Sequence, residues 1–385
     1  MQPLALLLRL IVLGIGLGVL AGTSLKLLAP QLASGAAPGT PASKLPGTGT
    51  LESQAHAPQG SFEPRRELTD LSKRWAQLAA GQSKFQASAF LLVLDDGRYA
   101  ALHADLAMPA ASSIKNPILL AALQDLDASK LRWNESLPLT AEVQAGGAGW
   151  MASKPLGTSF PIYETATEMI RVSDNSATNL LIKRLGGKEL LNARFQTMGL
   201  TATAVNTWLP DLKGTNTSSC RDLARSIALV DIGQALSPRS RDLFREIMAQ
   251  SNTNTLIPLG LLQGLGKRDS ADPDSDLQER GIRVYNKTGD IGIAYSDAAL
   301  IELPNGHRAV AAFMVKGPFN DPRSTNLIRA MAAAMAPKLI QPANNPAKQP
   351  TSQPAKQPAS QPNSQPTNQP ANQPANQPAS QPTNQ

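Results

Sequence analysis

One cysteine, three histidines and an aromatic content of 4% remove several common chemistries from this 385-residue chain. With Cys220 alone, no internal disulfide can close. Its setting at the start of a helical pattern reads as a small packed hydrophobe rather than a nucleophile. His56, His103 and His307 stand far apart, in a low-complexity stretch, at a strand end and in a turn. That scatter offers no metal-ligand spacing and no base for a Ser-His-Asp arrangement, so neither a metal nor a cofactor is expected. The net charge of +7 is spread along the chain without a basic block or interleaved aromatics. It excludes a nucleic-acid footprint and leaves mild attraction for carboxylate ligands or acidic polymers.

Long apolar runs are also scarce. An uncharged run extends only from Leu10 to Leu25, between Arg9 and Lys26, short of the roughly 18 residues of a spanning helix. Residues 1–29 therefore read as a signal peptide, with Ala33-Ser-Gly35 as a small-residue cleavage site. An uncleaved membrane anchor and a buried core helix are the other readings of the same stretch. Export to the periplasm or cell envelope is the expectation.

Proline is abundant instead, and most of it lies at the two ends. Residues 30–64 are Gly, Ala, Pro, Ser and Thr with little to bury, the composition of a flexible linker. Residues 340–385 repeat Gln-Pro-Ala-Asn-like units that cannot offset the entropy of folding, which predicts an extended tail, either interacting or inert. Between them, residues 65–339 alternate helical and strand patterns. An amphipathic helix carries Leu68, Leu71, Trp75 and Leu78, and a hairpin turns at Asp95-Asp96-Gly97. Helical patterns fill about 164–250, and strands near 282–288, 293–303 and 308–316 precede a last helix. The order predicts an α/β (α+β) domain: one antiparallel sheet completed by both chain ends and flanked by helices, with an all-helical subdomain inserted.

Three short motifs carry chemistry. Ser112-Ser-Ile-Lys115 opens an apolar helix, so Ser112 and Lys115 are an i, i+3 pair on one face. An amine so placed can take the proton of the hydroxyl if burial or a neighbouring cation lowers its pKa. The helix start also offers free N–H groups for an oxyanion. A capped, solvent-facing helix start is the plain alternative. Ser173-Asp174-Asn175 lies between two helical runs and reads equally as a cap, with Asn175 or Ser176 in that role. Lys287-Thr288-Gly289 falls on a strand, where lysine and threonine are common. Trp150, beside Gly146-Gly-Ala-Gly149, suits either a cleft wall or the core.

Taken together and in this order, the motifs resemble those of the penicillin-recognising serine enzymes, the class A β-lactamases and related penicillin-binding D-alanyl-D-alanine peptidases. The resemblance covers about residues 65–339 and implies a catalytic cleft between a sheet domain and a helical domain. It implies Ser112 as acylated nucleophile, Lys115 as the group taking or relaying its proton, and Ser173 as proton donor to the leaving nitrogen. Asn175 would bind the substrate amide, and Lys287, Thr288 and Gly289 would form the substrate-carboxylate wall. The N–H groups of Ser112 and Asp290 would make the oxyanion hole. The implied partner is a β-lactam or a D-Ala-D-Ala-type peptide, with peptidoglycan behind it.

One departure qualifies the resemblance. The loop glutamate that activates deacylating water in class A enzymes is matched here by Leu209, and its helper asparagine by Lys213; Asp211 lies two positions on. Leucine cannot accept a proton, which implies normal acylation and slow deacylation. A wall-binding or β-lactam-sensing module without turnover is the non-enzymatic rival.

Overall fold

The computed structural model describes residues 60–340. The expected export segment, most of the linker and the Gln/Pro-rich tail lie outside the described residues.

A six-stranded sheet forms the backbone of the fold. Its strands are β1 (Arg66–Glu67), β2 (Gln86–Val93), β3 (Arg98–Leu102), β8 (Arg283–Asp290), β9 (Ala294–Glu302) and β10 (Arg308–Lys316), in the order β1-β3-β2-β10-β9-β8. As expected, strands from both ends of the domain meet at the centre, where β10 pairs antiparallel with β2 and β9. The sheet is not wholly antiparallel: the short β1 runs parallel to β3 at the edge, because the chain passes through a helix and then β2, itself antiparallel to β3, before it reaches that strand.

That helix, α1 (Thr69–Ala80), and the last one, here α10 (Pro322–Ile340), cover one face of the sheet. Trp75 of α1 is fully buried, meets Phe313 edge-on at 5.4 Å, and donates its indole N–H to the Met331 carbonyl at 2.8 Å. Between them in sequence lie α2 (Lys115–Asp127), α3 (Ile162–Arg171), α4 (Asn175–Arg184), α5 (Gly187–Thr197), α6 (Cys220–Asp231) and α7 (Pro238–Met248). These build a second core on the other face. Strand β2 shows why both are needed. Phe90 and Leu92 enter one core, Ala89, Leu91 and Val93 the other, so its apolar run is continuous rather than alternating.

Two helices fall where no helical pattern is legible: α8 (Ile257–Gly264) and α9 (Pro273–Gln278), each short and opened by proline. Small strand pairs, β4 (Met108–Pro109) with β7 (Thr217–Ser218) and β5 (Ser136–Pro138) with β6 (Ser159–Pro161), brace the irregular stretches. Cys220 is fully buried at the start of α6, and burial pushes its thiol up to about 12, which makes it inert as a nucleophile.

Candidate active site

Ser112 lies in a 3-10 turn, Ala111–Ile114, that runs directly into α2. The sequence predicts an α-helix from Ser112; the structure tightens its first turn instead. In 3-10 geometry residues i and i+3 eclipse, which brings the Lys115 amine over the Ser112 hydroxyl more directly than an α-turn would. Pro117 falls in the first turn of α2, where its missing N–H has no intrahelical acceptor to lose. Ala111, at φ +48, and Ser173, at φ +60, hold strained left-handed conformations on either side of the amine.

Lys115 is completely buried. Its Nζ lies 3.1 Å from Ser112 Oγ, 2.9 Å from Ser173 Oγ, 2.7 Å from the Ser173 carbonyl and 3.1 Å from Asn175 Oδ1. Desolvation first, and the Lys287 ammonium second, hold its pKa well below the usual lysine value, against a smaller opposing pull from Asp174. The arrangement favours a neutral amine whose lone pair can face a hydroxyl.

The Ser173-Asp174-Asn175 loop is set by its middle residue. Asp174, rather than Asn175 or Ser176, caps α4: its carboxylate accepts from Ala177 N at 2.9 Å and also from Trp150 N at 2.7 Å and Met151 N at 2.9 Å. Capping by Asp174 leaves Asn175 free to face the cleft, where its Nδ2 donates to the Gly146 carbonyl at 2.9 Å. Gly149 has to be glycine, because a Cβ there would sit 2.1 Å from Asp174 Oδ2. Trp150 is half-buried, packs edge-on against Phe160 and donates to Glu168, a role in the wall of the helical core.

The third motif closes the site from the edge of the sheet. Lys287 is fully buried on β8, with its Nζ donating to the Thr288 carbonyl at 2.9 Å, and burial brings its pKa down to about 8. Thr288 is half-buried and Asp290 is exposed at the strand end. Gly289 explains its own identity: a Cβ would meet Ser296 Oγ at 2.4 Å and Ser112 N at 2.7 Å. Ser296 in turn donates to the Ala110 carbonyl at 2.9 Å, which fastens β9 to the nucleophile turn. The N–H of Ser112 falls in the first turn of its helix, where no intrahelical acceptor exists.

The opposite wall presents Leu209, Pro210 and Leu212 beside Asp211 and Asn216. Ser112, Gly147, Asn175, Leu209, Asn216 and Asp290 line one small pocket. Leu209 is held there from both sides of its backbone: its N–H donates to Asn179 Oδ1 at 2.9 Å and its carbonyl accepts from Asn179 Nδ2 at 2.8 Å. Asp211 is tied into the turn of its own loop: its carboxylate accepts from Asn216 N at 2.6 Å and Thr215 Oγ1 at 3.1 Å. Lys213 is exposed. Asn179 and Asn216 were not singled out by the sequence. Asn179 follows Asn175 by one helical turn, a signal that could have found it; Asn216 sits in a turn with no pattern to mark it. A larger groove of about 570 Å³ beside α1 is lined by alanines and Phe85 together with Gln82, Ser83, Gln86 and His103, and none of the three motifs reaches it.

A hydroxyl, two buried amines and a bare oxyanion-type N–H on the seam between a sheet and a helical subdomain define a serine acyl-transfer fold. Residues 70–339 match the sequence model of the Beta-lactamase enzyme family, and the chain belongs to it, a serine hydrolase of the β-lactamase and penicillin-binding type. It is 28% identical over 225 residues to a β-lactamase of Streptomyces albus G, covering 55% of this chain and 69% of that one. Among solved structures, PBP-A is 40% identical, with a TM-score of 0.66, over 72% of this chain and 99% of that chain. A leucine-to-glutamate mutant of PBP-A, described as an acyl-enzyme complex with penicillin G, matches with the same figures.

Proposed function

We propose that this chain is an exported penicillin-binding serine hydrolase that forms an acyl-enzyme on Ser112 readily and releases it slowly. Its substrates are β-lactams and, by the same chemistry, D-alanyl-D-alanine-type peptides. The observation that carries the reading is the buried Lys115 amine within hydrogen-bond reach of both Ser112 Oγ and Ser173 Oγ.

Neutral Lys115 accepts the Ser112 proton as Oγ attacks the carbonyl, and the oxyanion is held by the N–H groups of Ser112 and Asp290. The proton then passes through Ser173 to the leaving nitrogen, which breaks the amide bond and leaves the acyl group on Ser112. Asn175 binds the substrate amide, while Lys287 and Thr288 hold its carboxylate. Hydrolysis needs a base to activate water beside the ester, and Leu209 offers none. A peptidase-like rather than lactamase-like enzyme fits this best, and the 40% identity to PBP-A favours that side of the family.

The test is mass spectrometry of the protein over time after a brief exposure to benzylpenicillin. A covalent adduct on Ser112 that outlasts the free drug, and is absent from Ser112→Ala, is the expected result. Rapid turnover with no accumulated adduct would overturn slow deacylation. Noncovalent peptide or glycan binding alone would make the chain a recognition module.

A further inference from the structure

Among the buried carboxylates that the mechanism above does not use, Asp297 is the one on the strand beside Lys287. Asp297 is completely buried on β9, in register opposite Thr288 and diagonal to Lys287. Strand alternation puts Asn286 and Asp297 on one face of the β8–β9 pair, and Lys287 with Ser296 on the other, the face toward the nucleophile turn. The hydrogen bonds agree: Asn286 Nδ2 donates to both Asp297 oxygens, at 2.9 and 3.1 Å, and Ser296 Oγ reaches the Ala110 carbonyl. Ile257 N, at the start of α8, donates to Asp297 Oδ2 at 2.8 Å. Among the described residues neither Asp297 nor Lys287 belongs to an ion pair within 4 Å, so each charge is uncompensated at contact distance.

We propose that Asp297 is a positioning residue for Lys287: a carboxylate fixed behind the strand that keeps the lysine charged for the substrate carboxylate in front. This rests on the reading of Lys287 as the carboxylate-binding group. The surroundings favour it. Helix α8 brings no ionisable side chain to Asp297, only its N-terminal N–H. From α10, the Arg329 guanidinium is spent on the Thr255 carbonyl at 2.7 Å. From α9, Asp274 lines the groove outside Asn286. On the lysine's side the other basic group is the Lys115 amine, which the Lys287 ammonium holds down and which supplies no negative charge to support it. Burial and the Asn286 and Ile257 donors pull Asp297 in opposite directions and leave it near 7, while Asp297 is what works against the desolvation of Lys287. Asp297 thus supports the charge of Lys287, and with it carboxylate binding, up to the pH of about 8 at which the lysine gives up its proton.

The experiment compares acylation of Ser112 by benzylpenicillin and by its methyl ester, which lacks the carboxylate, as a function of pH. In Asp297→Asn the alkaline limb for benzylpenicillin should move down by about one pH unit, a roughly tenfold loss above it, with little change near pH 6 and none for the ester. Asn286→Leu, which withdraws the donors that keep Asp297 ionised, should shift the limb the same way and serves if the first variant does not fold. An equal, pH-independent loss for both compounds, or an unmoved limb in a folded variant, overturns the proposal. Lys287→Met separates the two layers: if it fails to distinguish the acid from the ester, the role of Lys287 itself is wrong. If it distinguishes them and the Asp297 variant does not, only the positioning role falls.

Discussion

The two walls of the cleft differ in what they do with a proton. On the Ser112 side the polar atoms converge on one group: the amine of Lys115 touches two hydroxyls, a carbonyl and an amide oxygen. On the Leu209 side the polar atoms are committed to holding the loop, with Asn179 clamping Leu209 and Asp211 tied into its own turn. On the proposed mechanism, the first wall carries the groups that acylation uses. On the same mechanism, the second wall presents Leu209 where a base for deacylation would stand. On that reading, architecture and chemistry part company within one pocket.

The largest effect should come from breaking the equipped wall. Lys115→Met keeps the buried volume and removes the base; acylation by benzylpenicillin should fall by about 10³-fold, the scale of general-base catalysis. Stopped-flow quenching or intact mass would read it, and a loss of only a few-fold would show that another group takes the Ser112 proton. Next comes equipping the bare wall. Leu209→Glu should shorten the acyl-enzyme lifetime by about 10²-fold, because the clamp from Asn179 acts on backbone atoms that the substitution keeps. An unaltered lifetime would mean that residue 209 does not face the ester.

A smaller effect follows from pH. Lys115 must be neutral to act as base, so acylation rises with pH as its depressed pKa is passed. Lys287 must be charged to hold the carboxylate, so the rate declines above about 8 as it loses its proton. Over one pH unit past that limb the loss should approach tenfold. A rate that keeps climbing to about pH 10, where an unshifted lysine titrates, would detach Lys287's charge from binding.

What was legible in the sequence was whatever is written in residue types at short spacing. Ser112 with Lys115, the hairpin at Gly97 and the apolar β2 each depend on neighbours within a few positions, so periodicity and motif suffice. The identity of the cap on α4 was misread because Asp174, Asn175 and Ser176 are all good caps; three-dimensional competition for Trp150 N and Met151 N decides for Asp174. Helices α8 and α9 escaped because they are only 8 and 6 residues long, too short to show a period. The grouping of Lys287 with Asp297 was invisible for another reason: it depends on strand register, which couples positions across a hairpin rather than along the chain.

The smallest effect tests whether the bare wall hides a substitute base. Asp211 lines the same pocket as Ser112, and it is the acidic residue nearest in sequence to Leu209. Its two oxygens already accept from Thr215 Oγ1 and Asn216 N, which uses about half of a carboxylate's acceptor sites and fixes it in the turn. Asp211→Asn keeps one acceptor for the Asn216 N–H, so stability should drop by about 1 kcal/mol. The acyl-enzyme lifetime should change by less than about twofold, far below the loss that follows removal of a general base. A lifetime prolonged tenfold or more, at unchanged folding by thermal melting, would make Asp211 the slow deacylating base. The division between an acylating wall and an inert one would then no longer hold.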